Sequence, residues 1–172
     1  MSTWDLLAEL PVEIEDYTLE PLRANVSSEF ERKSTIIGLR GGGELGVGED
    51  VTYDAVDQIA LQDAGANLDL TGYATLGEFC DFMGGVDTFP AEPQRDVSRR
   101  YRRWAFEASA LDLALRQSGI GITEALGRER RPVEFVCSMR LSPGEGEPST
   151  IDTLRRKLDR YPPFSSGAGA RA

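Results

Sequence analysis

The chain has 172 residues, 40% of them apolar, and is therefore long enough to bury the core of one ordinary domain. Its formal net charge of −10 and isoelectric point near 4.6 argue against binding to nucleic acid or to anionic membrane surfaces, and a solvated acidic surface is the preferred interpretation. The sequence contains no histidine, which removes every catalytic or metal site that depends on an imidazole.

The first fifty residues predict a three-stranded antiparallel meander. Residues 12–22 (VEIEDYTLEPL) alternate apolar and polar, as a strand with one wet face does. Residues 21–31 are predicted to be a polar loop, residues 33–40 (KSTIIGLR) the second strand and residues 44–49 (ELGVGE) the third. The turn at Gly41, Gly42 and Gly43 is short, and short glycine turns join antiparallel strands. The predicted buried side chains of the first strand are Val12, Ile14, Tyr17 and Leu19.

The glycine-rich turn has a second interpretation, because GGGELG at residues 41–46 also matches the dinucleotide fingerprint G-x-G-x-x-G. That fingerprint requires a helix to begin inside the motif. The residues that follow, VGEDVTY, are β-branched and glycine-rich and favour a strand. We therefore prefer a hairpin turn to a nucleotide site.

Helical spacing replaces strand alternation after residue 50. Residues 53–62 place Val56, Ile59 and Ala60 at helical spacing. Residues 75–83 do the same, with Thr75 as N-cap and Glu78 completing a capping box. Its apolar side chains are Leu76, Phe79, Phe82 and Met83.

A long helix is predicted at residues 98–118, followed by a short one at residues 123–126. Gly119 and Gly127 end them. The main predicted buried stripe is Trp104, Ala108, Leu111 and Leu115, widened by Ala105, Leu113 and Ala114.

The arginine run RRYRR at residues 99–103 allows a phosphate site. We interpret it instead as the solvated start of the long helix, pairing with local acids. Tyr101 and Trp104 are predicted to be core residues rather than stacking platforms, given the negative charge of the chain.

The C-terminal part predicts one β/α unit. Residues 132–139 (PVEFVCSM) form an apolar run typical of a buried strand in a parallel sheet. Residues 150–160 predict an amphipathic helix, with Ile151, Leu154 and Leu158 inward and with Lys157 and Asp159 as surface residues. Residues 162–172 are low in complexity and are predicted to be a disordered tail.

Three stretches resemble the N-terminal part of enolase-superfamily enzymes of the mandelate racemase and muconate-lactonising type. KSTIIGLRGGGELGVGED is similar to two capping-domain strands of that family, WAFEASALDLALRQSGIGITEALG to its long helix, and VEFVCSM to its first barrel strand. The fold class is accordingly α+β: a three-stranded antiparallel meander followed by a helical bundle, with one β/α unit of an incomplete TIM barrel. The expected domains are a capping domain at 1–131, the barrel unit at 132–161 and the tail at 162–172.

The resemblance implies proton abstraction next to a carboxylate, assisted by Mg²⁺. The metal ligands and acid/base residues of that family lie on later barrel strands, so no catalytic, metal-binding or cofactor-binding residue is assigned on this chain. The resemblance does imply two substrate-specificity loops, near residues 23–29 and 49–53. Their candidate residues are Asn25, Ser27, Ser28, Glu29, Asp50, Thr52 and Tyr53.

Glu49 and Asp50 raise the alternative of paired carboxylates for acid/base work or a metal. Neighbours in a strand point to opposite faces and cannot easily share one ion. A solvated loop is therefore the preferred interpretation, and a loop over a substrate pocket is the second.

Three functions remain open. The first is a truncated enolase-superfamily polypeptide, inactive alone, whose parent is a racemase, epimerase, cycloisomerase or dehydratase. The second is a stand-alone capping module that docks onto a separate barrel chain or another protein. The third, ranked last, is a small acidic enzyme that uses carboxylates alone.

The expected partners follow from these functions: a small carboxylate substrate only if a barrel is supplied, a barrel partner or a homo-oligomer, and neither nucleic acid nor membrane. No apolar run could span a bilayer and the first residues hold no signal core, which predicts a cytoplasmic location. Cys80 and Cys137 share no metal-type spacing and are predicted to be reduced thiols.

Overall fold

A computed structural model of the chain describes residues 2–27, 30–132, 151–153 and 155–156. The chain divides into two units, Met1–Arg130 and Arg131–Ala172. In the second unit, residues 151–153 and 155–156 are helical, in agreement with part of the predicted helix, but Ile151 is exposed rather than inward. The predicted strand at 132–139 lies outside the described residues from position 133 onward, and so does the predicted tail at 162–172.

The first unit is an α+β domain, as the sequence predicts. Its three strands form one antiparallel sheet in the order β1-β2-β3, which confirms the meander. No helix among the described residues is both long and apolar enough to cross a bilayer. The elements are α1 (Thr3–Leu7), β1 (Asp16–Ser27), β2 (Phe30–Gly41), β3 (Glu44–Asp50), α2 (Ala55–Ala64), α3 (Leu76–Gly85), α4 (Val97–Gln117) and α5 (Ile122–Ala125).

The first hairpin is longer than predicted. β1 and β2 pair from Asp16 opposite Arg40 to Asn25 opposite Glu31. The polar loop predicted at residues 21–31 is therefore wrong, because strand pairing satisfies the backbone of this polar stretch. Val12 and Ile14 are buried as predicted, although they precede β1.

α4 packs directly against the sheet because glycines on β3 let the helix backbone approach. A Cβ added to Gly46 or Gly48 would collide with the α4 backbone at Ser109 or Ala105. The Ser109 hydroxyl lies 3.0 Å from the carbonyl oxygens of both Ile37 and Gly46 and accepts a hydrogen bond from the Leu39 amide. α4 therefore packs across the boundary between β2 and β3.

The buried face of α4 differs from the prediction. Trp104 is 59% exposed and Tyr101 is 41% exposed, so their assignment to the core was wrong. Of the predicted stripe, Ala105, Leu113 and Ala114 are buried. The residues buried on α4 are Ser98, Arg102, Ala105, Phe106, Ser109, Ala110, Leu113 and Ala114.

α2 also buries the opposite face from the one its apolar residues suggest. Val56 and Ile59 are exposed, whereas Asp57, Gln58 and Leu61 are buried. These polar side chains form hydrogen bonds inside the domain, which offsets the cost of taking them out of water.

α3 follows the prediction more closely. Thr75 caps its first turn by accepting a hydrogen bond from the Glu78 amide. Leu76, Phe79 and Met83 are buried, while Phe82 is 38% exposed.

Candidate functional site

The described parts of the two predicted specificity loops lie at one end of the sheet, and we call this region the loop end (residues 25–27, 30–32 and 51–54). β3 stops at Asp50, which pairs with Thr35 in the middle of β2. The chain after β3 therefore continues beside the first residues of β2. The Arg32 guanidinium donates hydrogen bonds to the carbonyl oxygens of Val51 and Tyr53.

Tyr53 is the most exposed aromatic residue of the loop end. Its ring stacks on Phe30, with centroids 5.8 Å apart and planes 19° from parallel. The guanidinium carbons of Arg32 and Arg95 lie 5.5 and 5.0 Å from the same ring centroid. Arg95 is itself held by an ion pair with Asp54 at 3.0 Å. These contacts fix the Tyr53 ring while half of its surface stays accessible.

Asp50 and Thr52 are predicted loop residues that the structure places inside the domain. Both are fully buried. One Asp50 carboxylate oxygen accepts hydrogen bonds from the Thr52 amide and hydroxyl, at 2.9 and 2.6 Å. The other lies 2.8 Å from Nε of Arg102 in an ion pair with no solvent exposure on either side. The solvated loop preferred for Glu49 and Asp50 is therefore wrong, since both residues belong to β3 and Asp50 is buried.

Each of the three guanidinium nitrogens of Arg102 has a hydrogen-bond acceptor, which offsets the cost of burying its charge. Besides Asp50, it donates hydrogen bonds to the backbone carbonyl oxygens of Asp57 and Thr88, at 2.8 and 3.2 Å. Its guanidinium carbon lies 3.7 Å from the Phe89 ring centroid. The interpretation of residues 99–103 as a solvated helix start holds for Arg99, which pairs with Asp87 and Glu92, but is wrong for Arg102.

Gln58 anchors the loop end from α2. Its amide nitrogen donates to the carbonyl oxygens of Asp50 and Thr52, at 2.9 and 3.2 Å, and its amide oxygen accepts from the Thr35 hydroxyl at 2.7 Å. Neither Gln58 nor Arg102 was a predicted site residue. Arg102 meets Asp50 and Asp57 across 52 and 45 residues, and Gln58 bonds the nearby chain at Asp50 and Thr52 as well as Thr35, 23 residues away; no local pattern indicates these contacts.

The predicted site residues are therefore divided between surface and interior. Asn25 and Tyr53 are exposed at the loop end, and Asp50 and Thr52 support it from within. Ser27 ends β1, so the predicted loop 23–29 is strand up to that residue. Ser28 and Glu29 lie outside the described residues.

The Mg²⁺ that the resemblance implies does not fit the described residues. Glu49 and Asp50 occupy opposite faces of β3, as predicted, and each already accepts hydrogen bonds. No group of three or more Cys, Asp or Glu side chains among the described residues could hold a metal ion. The exposed side chains of the loop end include the Tyr53 phenol and the Asn25 amide, which can select a ligand by shape and hydrogen bonding, and the Glu31 carboxylate, which pairs with Lys33.

Two other candidates for chemistry are disfavoured by their surroundings. The glycine turn leads into β3 rather than into a helix, so the arrangement required of a dinucleotide fingerprint is missing at residues 41–46. Burial and nearby carboxylates raise the pKa of the Cys80 thiol to about 12, which keeps it protonated at neutral pH.

Comparison with known proteins gives one match. The model of a family described as "Domain of unknown function (DUF8230) N-terminal domain" matches residues 5–125, which include every element from α2 to α5 and the whole sheet. No curated protein and no solved structure matches the chain.

Proposed function

The chain belongs to this family of N-terminal domains, and from the sequence resemblance of its sheet and long helix we propose that residues 5–125 are a capping domain of the enolase-superfamily type. In this proposal the domain has no chemistry of its own. It contributes substrate-selecting side chains at the loop end to an active site whose acid/base residues belong to a β/α barrel. The substrate is a small carboxylate from which a proton next to the carboxylate is removed.

One observation carries the proposal: two segments that are remote in sequence converge at one end of the sheet and are held there by packing. Phe30 and Arg32 from the start of β2 bind the segment that follows β3. The buried Asp50–Arg102 pair and Gln58 fix that segment from below. The held Tyr53 ring can select a substrate, because precisely held side chains discriminate better than mobile ones, and the exposed Asn25 lies at the same end of the sheet.

The test is a hybrid protein in which residues 2–130 replace the capping domain of an enolase-superfamily enzyme. Proton exchange into deuterated water is followed by NMR for a panel of 2-hydroxy acids, sugar acids and acylated amino acids. We expect exchange with part of the panel. Tyr53→Ala and Asn25→Ala are expected to change the ratio of kcat/KM between two substrates, because these side chains differ in fit to each.

Trp4→Ala is the matched control, since Trp4 is an exposed aromatic residue of α1 and not of the loop end. It should leave that ratio unchanged. A folded hybrid with no exchange for any substrate would contradict the proposal.

A docking module is the second candidate, and the exposed apolar residues of α2 favour it. Val56 and Ile59 are 54% and 40% exposed and follow Tyr53 closely in sequence. In this case Tyr53→Ala would lower the activity of the hybrid equally for all substrates, because the ring would contact protein rather than substrate.

A further inference from the structure

α4 carries a second apolar stripe, on the face turned away from the buried one. Val97, Tyr101 and Trp104 are 42%, 41% and 59% exposed, and the next members of the stripe are half-buried. The intervals alternate between four and three residues, which is the spacing at which two helices pack side by side. The members are Val97, Tyr101, Trp104, Ala108, Leu111 and Leu115.

Of this stripe only Leu111 packs against the domain core. The opposite face of α4 makes the contact with the sheet, through Ala105, Ser109 and Leu113. An exposed tryptophan and tyrosine one turn apart resemble the anchors that dominate protein interfaces. We propose that the stripe binds the same stripe of a second copy of this chain, with the two α4 helices antiparallel.

The sequence of the stripe is complementary to itself in that orientation. An antiparallel pair centred on Phe106 places Trp104 opposite Ala108 of the other copy. The large indole then faces the smallest member of the stripe, an alternation of large and small side chains that lets two helices interlock. The same register places Tyr101 opposite Leu111 and Val97 opposite Leu115, so all six members are used.

Charge favours the same orientation. Before the centre, the charged residues of α4 that reach the surface are Arg99, Arg100 and Arg103, and after it they are Glu107, Asp112 and Arg116. Within the chain Arg103 already pairs with Glu107, Arg116 with Asp112, and Arg99 with Asp87 and Glu92, so the difference between the two halves is one of net charge. An antiparallel arrangement therefore sets a basic half against a more acidic half, and it also opposes the two helix dipoles. A parallel pair would set the three arginines before the centre beside the same three arginines of the other copy.

The experiment is sedimentation of the complete chain over a range of concentrations, with a reciprocal swap of the central pair. Trp104→Ala and Ala108→Trp are each expected to weaken self-association about 10-fold or more. The first removes the large side chain at the centre of the contact, and the second places a new indole directly against Trp104 of the other copy. The double variant exchanges the two side chains and is expected to return to within about 3-fold of the original. Trp4→Ala is the control and is expected to leave association unchanged.

Fluorescence quenching gives a second measurement that does not depend on the folding of these variants. In a Trp4→Phe chain, Trp104 is the sole tryptophan. We expect acrylamide to quench it at low concentration and progressively less as the chain associates.

Three results would overturn the proposal. The first is a chain that stays monomeric at every concentration, and the second is association that Trp104→Ala leaves unchanged. The third is a Trp104 already shielded in the monomer, because then another part of the chain or another molecule occupies this face.

Discussion

At the scale of single residues, the buried Arg102–Asp50 pair is the contact whose loss we expect to cost most. Arg102→Met keeps most of the side-chain volume but leaves the Asp50 carboxylate buried, with only Thr52 as a partner. An uncompensated buried charge of this kind typically costs about 3–5 kcal/mol. We therefore expect the free energy of unfolding, measured by urea denaturation, to fall by that amount.

Arg99→Met is the matched control for this prediction. Arg99 is three residues away on the same helix and pairs with Asp87 and Glu92, but its side chain is partly exposed. Exposed pairs contribute about 1 kcal/mol or less. If the two substitutions cost the same, the buried pair is not what holds the segment after β3.

The same pair shows why the sequence could not predict the inner part of the site. Arg102 lies at helical spacing with Ala105, Phe106 and Ser109, so a buried position was indicated by geometry alone. An arginine can occupy that position only because it forms a buried ion pair with Asp50, which lies 52 residues earlier in the chain. Local patterns hold no information about such a partner, and the run of four arginines looked like a solvated surface.

At the scale of elements, α4 shows what periodicity decides and what it leaves open. The helix was predicted at residues 98–118 and spans Val97–Gln117, because its length and glycine stop are local signals. Two apolar stripes share the helix, however, and periodicity does not say which one is inside. The glycines of β3 decide it, because they accept a helix face of small residues such as Ala105 and Ser109.

Gly48→Ala should therefore push α4 off the sheet. The added Cβ would meet the backbone of Ala105, which cannot move away as a flexible side chain can. Overpacking of this kind typically costs about 1–3 kcal/mol. Urea denaturation should show this loss, and Gly85→Ala is the control because nothing lies within 4 Å of its added Cβ. A stability loss no larger than that of the control would contradict the close contact between helix and sheet.

At the scale of the whole molecule, the sequence predicted the α+β class and the meander. Asn25 and Tyr53 are exposed, but Asn25 lies in β1 rather than in a loop, and the substrate-selecting role of both residues stays a prediction. Strand alternation and turn glycines are sufficient for the meander. The convergence of the two segments depends on the extra length of the β1–β2 hairpin. That length was missed because Arg23 and Asn25 pair with β2 through their backbones, although polar residues such as Asn are uncommon in strands.

The first unit, Met1–Arg130, should fold without the rest of the chain. All buried apolar residues identified among the described part of the chain lie between Leu7 and Ala114, within the unit Met1–Arg130. Residues 1–130 alone should therefore unfold cooperatively, with a thermal midpoint within about 4 °C of that of the complete chain. Calorimetry measures the midpoint, and near-ultraviolet circular dichroism reports on aromatic rings packed at the core, such as Tyr17 against Phe106 and Tyr73 against Phe79. A broad transition without near-ultraviolet signal would mean that the core needs residues beyond 130, because a core complete within the unit keeps its packing when the rest is removed.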